Sequence, residues 1–456
     1  MAPSRPNIIL ILADDMGCGD IGAFGNPQAQ TPALDRLADE GLVFRQHYSA
    51  SPVCAPARAG LLTGRYPHRT GAIDTLEGRG LDRLALDEVT LADVLKRAGY
   101  TTGLIGKWHL GALDPRYHPN RRGFDEFAGF RGGWQDYYAW RLDRNGQISP
   151  ADGRYLTDVF TAEAVAFIER RRREPFFLHV AYNAPHFPLQ APEEDVRPFL
   201  EAGLPEAVAT IYAMNRCMDR GVEQILAALD RLGISDNTLV LFTSDNGPEF
   251  GGSPSKTRYN LGLNGCKGNV YEGGIRVPAI LRFPPLGRQG VPSDALVHFT
   301  DWLPTLLGIA GVPVPPDLLL DGEDLSDRLC GDEIVRPPRF WQWNRYTPMA
   351  SCNAAMRDGP WKLIRPVIGE AMRISPEDAE MDRRLKYEPD NIASISADPE
   401  PVRTIPAPPA PLLFNLSQDP REQRDLASVE VDRVERMQRD LDRWFEEVTT
   451  ERSAGD

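Results

Sequence analysis

Short apolar runs punctuate the first two-thirds of this chain, and segments of helical character lie between them. The runs at Asn7–Ala13, Thr102–Gly106, Pro175–Tyr182, Thr238–Thr243 and Ala279–Phe283 carry little polar alternation. A strand that is apolar at successive positions is buried on both faces, as in a sheet covered by helices. The helical segments carry end signals. Thr31-Pro32 opens one, a capping residue followed by proline in the first turn, and Gly41 closes it. Thr90 with Asp93 opens a second, ended by Gly99. A third begins at Thr157 and runs to about Arg172, and a longer one covers Glu206 to Leu232. This alternation predicts an α/β fold: a large, mostly parallel sheet flanked by helices on both faces.

Near residue 320 the texture changes. Pro313, Pro315 and Pro316 cluster ahead of it, and short aromatic pieces follow at Phe340–Trp343 and Trp361–Ile364. The segment Ser375–Pro411 is polar, charged and then proline-rich, which reads as a long surface loop. Val431–Val448 has the pattern of an amphipathic helix. The organisation expected is a large α/β domain over 1–320 and a smaller C-terminal α+β domain over 321–456. A small antiparallel sheet is expected in the second, and the loop at about 375–411 interrupts it.

Composition narrows the function. The chain has 456 residues, of which 42% are hydrophobic and 25% charged, enough to bury a sizeable core. A formal charge of −14 argues against generic binding to nucleic acid or to an anionic membrane. The first apolar run is too short to span a bilayer, and no small-residue cleavage site follows it. The six cysteines, Cys18, Cys54, Cys217, Cys266, Cys330 and Cys352, are scattered and form no C-x-x-C pair. That usage fits a reducing compartment, so a cytoplasmic location is expected.

Open α/β sheets bind ligands beyond the carboxyl ends of their strands. Asp14-Asp15 follows the first run, Lys107-Trp108-His109 the second, Asn183-Ala184-Pro185-His186 the third and Ser244-Asp245-Asn246-Gly247 the fourth. Asp14, Asp15, Asp245 and Asn246 are hard oxygen donors, suited to calcium or magnesium rather than zinc. Each alone is also an ordinary turn or cap residue. Three carboxylates gathered at one edge repel one another unless a cation lies among them. Arg58, Lys107, His109, His186 and Lys267 flank the same predicted edge. In a chain of negative net charge, that cluster points to an anionic substrate group. Cys54 stands just ahead of the helix-favouring run Ala57–Leu62, where backbone amides favour anions and lower a thiol pKa. On this chemistry Cys54 has three readings: a thiol nucleophile, a small buried hydrophobe, or a modified residue. Trp134–Trp140 and Trp341–Arg345 form two aromatic stretches, read either as a pocket mouth or as packing between domains.

Taken in order, these segments resemble the type I, formylglycine-dependent sulfatases, arylsulfatase-like members of the alkaline phosphatase superfamily. Cys54-Ala55-Pro56-Ala57-Arg58 has the C-x-P-x-R pattern on which formylglycine-generating enzymes act, and Thr63-Gly64-Arg65 continues it. Arg5–Asp15, Gly106–Gly111, Asn183–His186, Thr243–Gly247 and Lys267-Gly268 are similar to the remaining active-site segments. Phe414–Glu422 resembles a C-terminal segment common in these enzymes. Ala57 stands where many relatives have serine.

The resemblance implies hydrolysis of an aryl or carbohydrate sulfate monoester to an alcohol and inorganic sulfate. It implies a formylglycine made from Cys54 by a maturation enzyme, and one calcium ion. The ion's ligands would be Asp14, Asp15, Asp245, Asn246 and an oxygen on the former Cys54. Asp245 would assist attack on sulfur, and Arg58 would stabilise the formylglycine. Lys107, Lys267 and His186 would bind sulfate oxygens, with His186 or Lys267 protonating the leaving oxygen. His109 would take the proton of the second hydroxyl. Two alternatives stand beside this reading. One is a phosphonate or phosphate ester hydrolase of the same superfamily. Its two-zinc members are disfavoured by the seven histidines and by Asn246, where they tend to carry histidine. The other is an inactive binding protein, which is expected to lose Cys54, Arg58 or a metal ligand.

Overall fold

A computed structural model describes residues 5–249, 258–287, 289–329 and 336–452. Ten strands form the larger sheet. In chain order they are β1 (Asn7–Ala13), β2 (Leu42–Tyr48), β3 (Thr101–Lys107), β4 (Glu126–Phe130), β5 (Arg141–Arg144), β6 (Gln147–Pro150), β7 (Phe176–Ala181), β8 (Thr238–Ser244), β9 (Ala279–Arg282) and β10 (Val291–His298). Their spatial order is β10-β2-β9-β8-β1-β7-β3-β4-β5-β6. The central run from β8 to β4 is parallel throughout. The fold is therefore α/β with a mostly parallel sheet, as the strand–helix alternation implies. The apolar run at Ala279–Arg282 departs from its neighbours, pairing antiparallel with both β8 and β2.

Every residue of β1, β7 and β8 is buried. Side chains of a strand alternate between faces, and β1 feeds two cores accordingly. Ile8, Leu10 and Leu12 join the core that includes Leu61, Leu95 and Leu303. Ile9, Ile11 and Ala13 join the core that includes Phe160, Met218 and Ile225. The helices flanking the sheet form where their caps predict. Thr90 accepts from the Asp93 amide at 3.2 Å, and Asp93 accepts from the Thr90 amide at 2.9 Å, closing a capping box on Leu91–Arg97. Thr31 differs: its hydroxyl accepts from the Gly22 amide at 2.9 Å and leaves helix Pro32–Asp39 without a side-chain cap.

The C-terminal sheet is antiparallel, β11 (Arg339–Gln342), β12 (Ala354–Asp358), β13 (Trp361–Arg365) and β14 (Leu412–Asn415) in that order. Helix Val431–Arg452 covers it, burying Met437, Leu441, Trp444 and Val448. Trp341, Ala355, Ile364 and Phe414 on its opposite side meet Tyr48, Val270 and Ile275. The stretch read as a long loop at 375–411 is corrected here. It begins with a helix, Pro376–Tyr387, capped by Ser375, whose hydroxyl accepts from the Asp378 amide at 3.1 Å. The helix is polar because it docks by ion pairs rather than an apolar stripe: Asp378 meets Arg79 at 2.7 Å and Tyr346 at 2.6 Å. Cys330 lies outside the described residues. Among the described residues, no helix is long and apolar enough to cross a membrane.

Candidate active site

The strands β8, β1, β7 and β3 are consecutive in the sheet, so their carboxyl ends lie side by side. Asp245-Asn246, Asp14-Asp15, Asn183–His186 and Lys107–His109 follow them. Two of these residues occupy left-handed backbone that side chains with a Cβ seldom adopt: Asp15 at φ +66° and His109 at φ +56°. Such torsions persist where the surroundings fix them, and they concentrate at functional sites. Gly106, at φ +111°, sets the position of Lys107. A Cβ there would stand 2.0 Å from the Ala181 carbonyl oxygen, so only glycine lets β3 lie this close to β7.

All ten residues singled out above meet at this edge, and all are buried except Lys267, whose side chain is 12% exposed. Cys54 opens helix Cys54–Thr63, with Sγ 3.4 Å from Asp14 Oδ1 and 4.0 Å from Asp15 Oδ1. Lys107 Nζ donates to Asp14 Oδ2 at 2.6 Å, and Lys267 Nζ to Asp15 Oδ2 at 2.7 Å. Arg58 reaches Asp245 Oδ2 with Nε at 3.0 Å and Nη2 at 2.8 Å. His186 Nε2 lies 3.8 Å from Asp15 Oδ2. Its Nδ1 stands 2.7 Å from the Phe187 carbonyl, which fixes Nδ1 as the protonated nitrogen of the neutral ring. Asn246 Nδ2 donates to Asp15 Oδ1 at 2.8 Å.

The electrostatics revise two expectations. The three carboxylates do not face one another unscreened, because Lys107, Lys267 and Arg58 each meet one of them. Repulsion alone therefore does not demand a metal. Nor is the Cys54 thiol activated by its helix terminus: burial first, and the Asp14 charge second, push its pKa well above the ordinary value. A protonated, buried thiol is a poor nucleophile, which disfavours the first of the three readings of Cys54. Burial raises Asp245 to about 6, aided by Asp14 and opposed by Arg58. Burial acts upward on Asp15 too, but the charge of Lys267, which also donates a hydrogen bond to it, outweighs burial and holds Asp15 well below the usual carboxylate range. Burial holds His109 neutral, reinforced by the charges of Lys107 and Arg58.

The donor set nonetheless fits a hard cation. Oxygens of Asp14, Asp15 and Asp245 and the Cys54 sulfur lie within 4.8 Å of one another. Asn246 Oδ1, buried beside them, has no hydrogen-bond partner. An orphaned buried acceptor costs about 1–3 kcal/mol unless something satisfies it, and a cation among these oxygens would. Both ring nitrogens of His109 are likewise without a hydrogen bond, as suits a group that meets a ligand.

Residues 6–312 match the family model described as Sulfatase. The chain belongs to the sulfatase family. This sulfatase is 37% identical to N-acetylgalactosamine-6-sulfatase of Rattus norvegicus over 367 residues, which cover 75% of this chain and 68% of that protein. It is 31% identical to arylsulfatase J of Mus musculus over 460 residues, covering 93% and 73% respectively. Its fold matches the crystal structure of Ps i-CgsB in complex with k-i-k-neocarrahexaose at a TM-score of 0.80 and 31% identity, with 97% of this chain and 93% of that one covered. The phosphonate monoester hydrolase of Agrobacterium radiobacter shares the fold at a TM-score of 0.64 and 22% identity.

The aromatic stretches of the sulfatase divide residue by residue. Tyr137 is buried and donates to the carbonyls of Asn183 and His186, at 2.7 and 2.9 Å, bracing the turn that carries His186. Trp341 packs between the two sheets and donates to the Ser49 carbonyl at 2.7 Å. Trp134 instead pairs with Tyr387 of helix Pro376–Tyr387, ring centroids 5.0 Å apart.

Sequence reading passed over Glu77, which lies in an unremarked polar stretch. Its Oε1 is 3.6 Å from His109 Nε2 and accepts from the Gly133 amide at 2.5 Å. Gly133 packs so tightly on the His109 ring that a Cβ would stand 2.5 Å from it. Burial, with the Asp82 charge second, raises the Glu77 carboxyl from 4.5 to about 8. Between those values the folded sulfatase keeps a proton that the unfolded chain releases, so this group's stabilisation is lost as pH rises through the window. Glu77→Gln is expected to flatten that dependence, raising Tm relative to the parent at pH 8 more than at pH 5. A scan of Tm against pH checks it, and an unchanged difference across the window counts against the shift.

Proposed function

We propose that this sulfatase hydrolyses sulfate monoesters of carbohydrates, with Cys54 converted to formylglycine and one calcium ion held by Asp14, Asp15, Asp245 and Asn246. The observation that carries the reading is Cys54 Sγ lying within 4.8 Å of the clustered carboxylate oxygens, ringed by Arg58, Lys107, His186 and Lys267. A calcium ion there supplies positive charge that favours an attacking oxyanion and offsets charge growing on the sulfate. Hydration of the aldehyde provides two hydroxyls at position 54, one to attack and one to expel sulfate. A serine in its place would stop after the first step. Lys107 and Lys267 bind the sulfate oxygens as charge-assisted donors. Lys267 carries a proton at neutral pH, because the Asp15 charge outweighs the effect of burial, and it protonates the leaving oxygen. His109, kept neutral, accepts the proton of the second hydroxyl. Arg58, bonded to Asp245 and to the Lys107 carbonyl at 3.1 Å, fixes both against the helix that carries Cys54.

The carbohydrate class is supported by the relatives, among them an N-acetylgalactosamine-6-sulfatase and a protein crystallised with neocarrahexaose. The test is sulfate release from a panel of sulfated monosaccharides, an aryl sulfate and a phosphonate monoester, using protein whose position 54 has been checked by peptide mass. Release from at least one sugar sulfate is expected, with kcat/KM above that for the phosphonate. Turnover of the aryl sulfate with no sugar sulfate cleaved would refute the carbohydrate assignment. A preference for the phosphonate would refute sulfate ester hydrolysis as the main activity.

A further inference from the structure

Lys267 lies in 258–271, which form no helix or strand, just ahead of the short helix Glu272–Ile275. A lysine that must present its ammonium group to an anion within a few tenths of an ångström needs a fixed backbone. The segments after β8 and ahead of helix Cys54–Thr63 supply part of it: the Lys267 amide donates to the Pro248 carbonyl at 3.0 Å, and the Gly268 amide to the Pro52 carbonyl at 2.9 Å. The rest comes from the C-terminal sheet. Asn353, just ahead of β12, donates from Nδ2 to the Gly268 carbonyl at 2.9 Å and accepts at Oδ1 from the Val270 amide at 3.1 Å. Glu422, the last residue of the Phe414–Glu422 segment, accepts from the Glu272 amide at 2.8 Å. Lys362 on β13 is fully buried between Glu422, at 2.8 Å, and Glu272, at 2.9 Å.

Two features separate this arrangement from ordinary interface packing. Asn353 and Glu422 are both in left-handed backbone, at φ +47° and +54°, and both are buried. Their side chains bond backbone groups at Gly268, Val270 and Glu272, and Lys362, bonded to both Glu422 and Glu272, holds Glu422 in place for its part. We infer that Asn353 and Glu422 are positioning residues: the C-terminal sheet serves as a strap that fixes the Lys267 loop against Asp15. The inference rests on the sulfate-binding role given to Lys267 above, and it assigns a task to the C-terminal segment that resemblance left without one.

The experiment is a double-mutant cycle on kcat/KM for sulfate release, with conversion of Cys54 verified in every variant. Asn353→Ala is expected to lower kcat/KM about a hundredfold, and Asn353→Asp, which keeps the acceptor for Val270, to recover part of it. In a Lys267→Ala background Asn353→Ala is expected to cost less than about threefold, because the residue acts through the lysine. Equal losses in both backgrounds would mean a general structural role and overturn the inference. Arg436→Ala, which breaks an exposed pair with Asp358 on the far side of the same sheet, is the control and leaves kcat/KM unchanged. Hydrogen exchange judges the strap independently of activity. In Asn353→Ala and Glu422→Gln the amides of Gly268, Val270 and Glu272 are expected to exchange faster, with those of β1 unaltered. Unchanged exchange at those amides would overturn the strap. Lys267→Ala with full activity would instead overturn the role of Lys267 and leave the strap to the exchange data.

Discussion

Replacing Cys54 by alanine is expected to lower sulfate release by roughly ten-thousandfold or more, the scale of deleting a covalent nucleophile, without unfolding the protein. Position 54 is 1% exposed, and its neighbours Ala55, Ala57 and Ala59 are already alanine, so the smaller side chain fits the helix. Cys54→Ser separates the mechanism from its rivals. Made in a host whose maturation enzyme oxidises cysteine, the serine variant keeps one hydroxyl beside Asp14 and lacks the second. It is expected to accept one sulfo group and stall, giving a peptide heavier by that group and no sustained turnover. In the parent, the same peptide is expected to be lighter by the difference between a thiol and an aldehyde side chain. Sustained turnover by the alanine variant, or by parent protein whose Cys54 remains a thiol, would refute the formylglycine reading. The raised thiol pKa points the same way: an unmodified Cys54 is protonated at neutral pH and buried beside Asp14, the opposite of what thiolate catalysis needs.

Much of this site was legible in sequence because each of its strands ends in the polar residues that gather there. β1 and β7 are apolar at nearly every position and β8 is so over Leu239–Phe242, and a central parallel strand announces itself that way; β3, with Leu104 and Ile105 between Thr101-Thr102 and Lys107, is a weaker case. Their carboxyl ends then had to converge, and the ten predicted residues do. The outer and hairpin strands were not legible. β2 carries Arg45, Gln46 and His47 within seven residues, so its pattern breaks just where the strand pairs with β10. The helix Pro376–Tyr387 was hidden because its docking residues, Asp378 and the Arg79 it meets, are charged. Glu77, Asn353 and Glu422 were unreadable for a different reason. They act on backbone or on a histidine remote in the chain, and no local spacing records a contact between residues so far apart in sequence. The electrostatic argument also changed. Sequence counted three carboxylates and inferred a metal from repulsion, whereas the structure answers each with a basic side chain and leaves Asn246 Oδ1 as the stronger pointer.

That pairing of charges leads to the second large effect. Asp14 Oδ2 holds Lys107 at 2.6 Å and Asp15 Oδ2 holds Lys267 at 2.7 Å. These are two of the carboxylates that would hold a divalent cation, and the two lysines are those proposed to engage sulfate. A cation among the carboxylates weakens their hold on both ammonium groups, which then gain by turning to an anion. Calcium and sulfate are therefore expected to bind cooperatively. Linkage makes the coupling reciprocal, and couplings of this kind are commonly about 5- to 150-fold. Titration calorimetry with inorganic sulfate, on calcium-loaded and chelator-treated protein, measures it. Lys267→Met is expected to reduce the coupling, and Asp15→Asn to weaken calcium itself. Calcium at a hundredfold excess over its Kd should also add about 2.7 kcal/mol of stability, seen as a rise in Tm that the chelator reverses. Sulfate affinity indifferent to calcium would refute the exchange of partners, even if activity required the ion. Cooperative binding would mean that the negative cluster and the positive cluster, opposed in charge and packed in one buried space, are two halves of one device. Asp14 and Asp15 would then hold Lys107 and Lys267 in place before a cation binds, and with a cation among the carboxylates the two lysines would be released to hold the substrate.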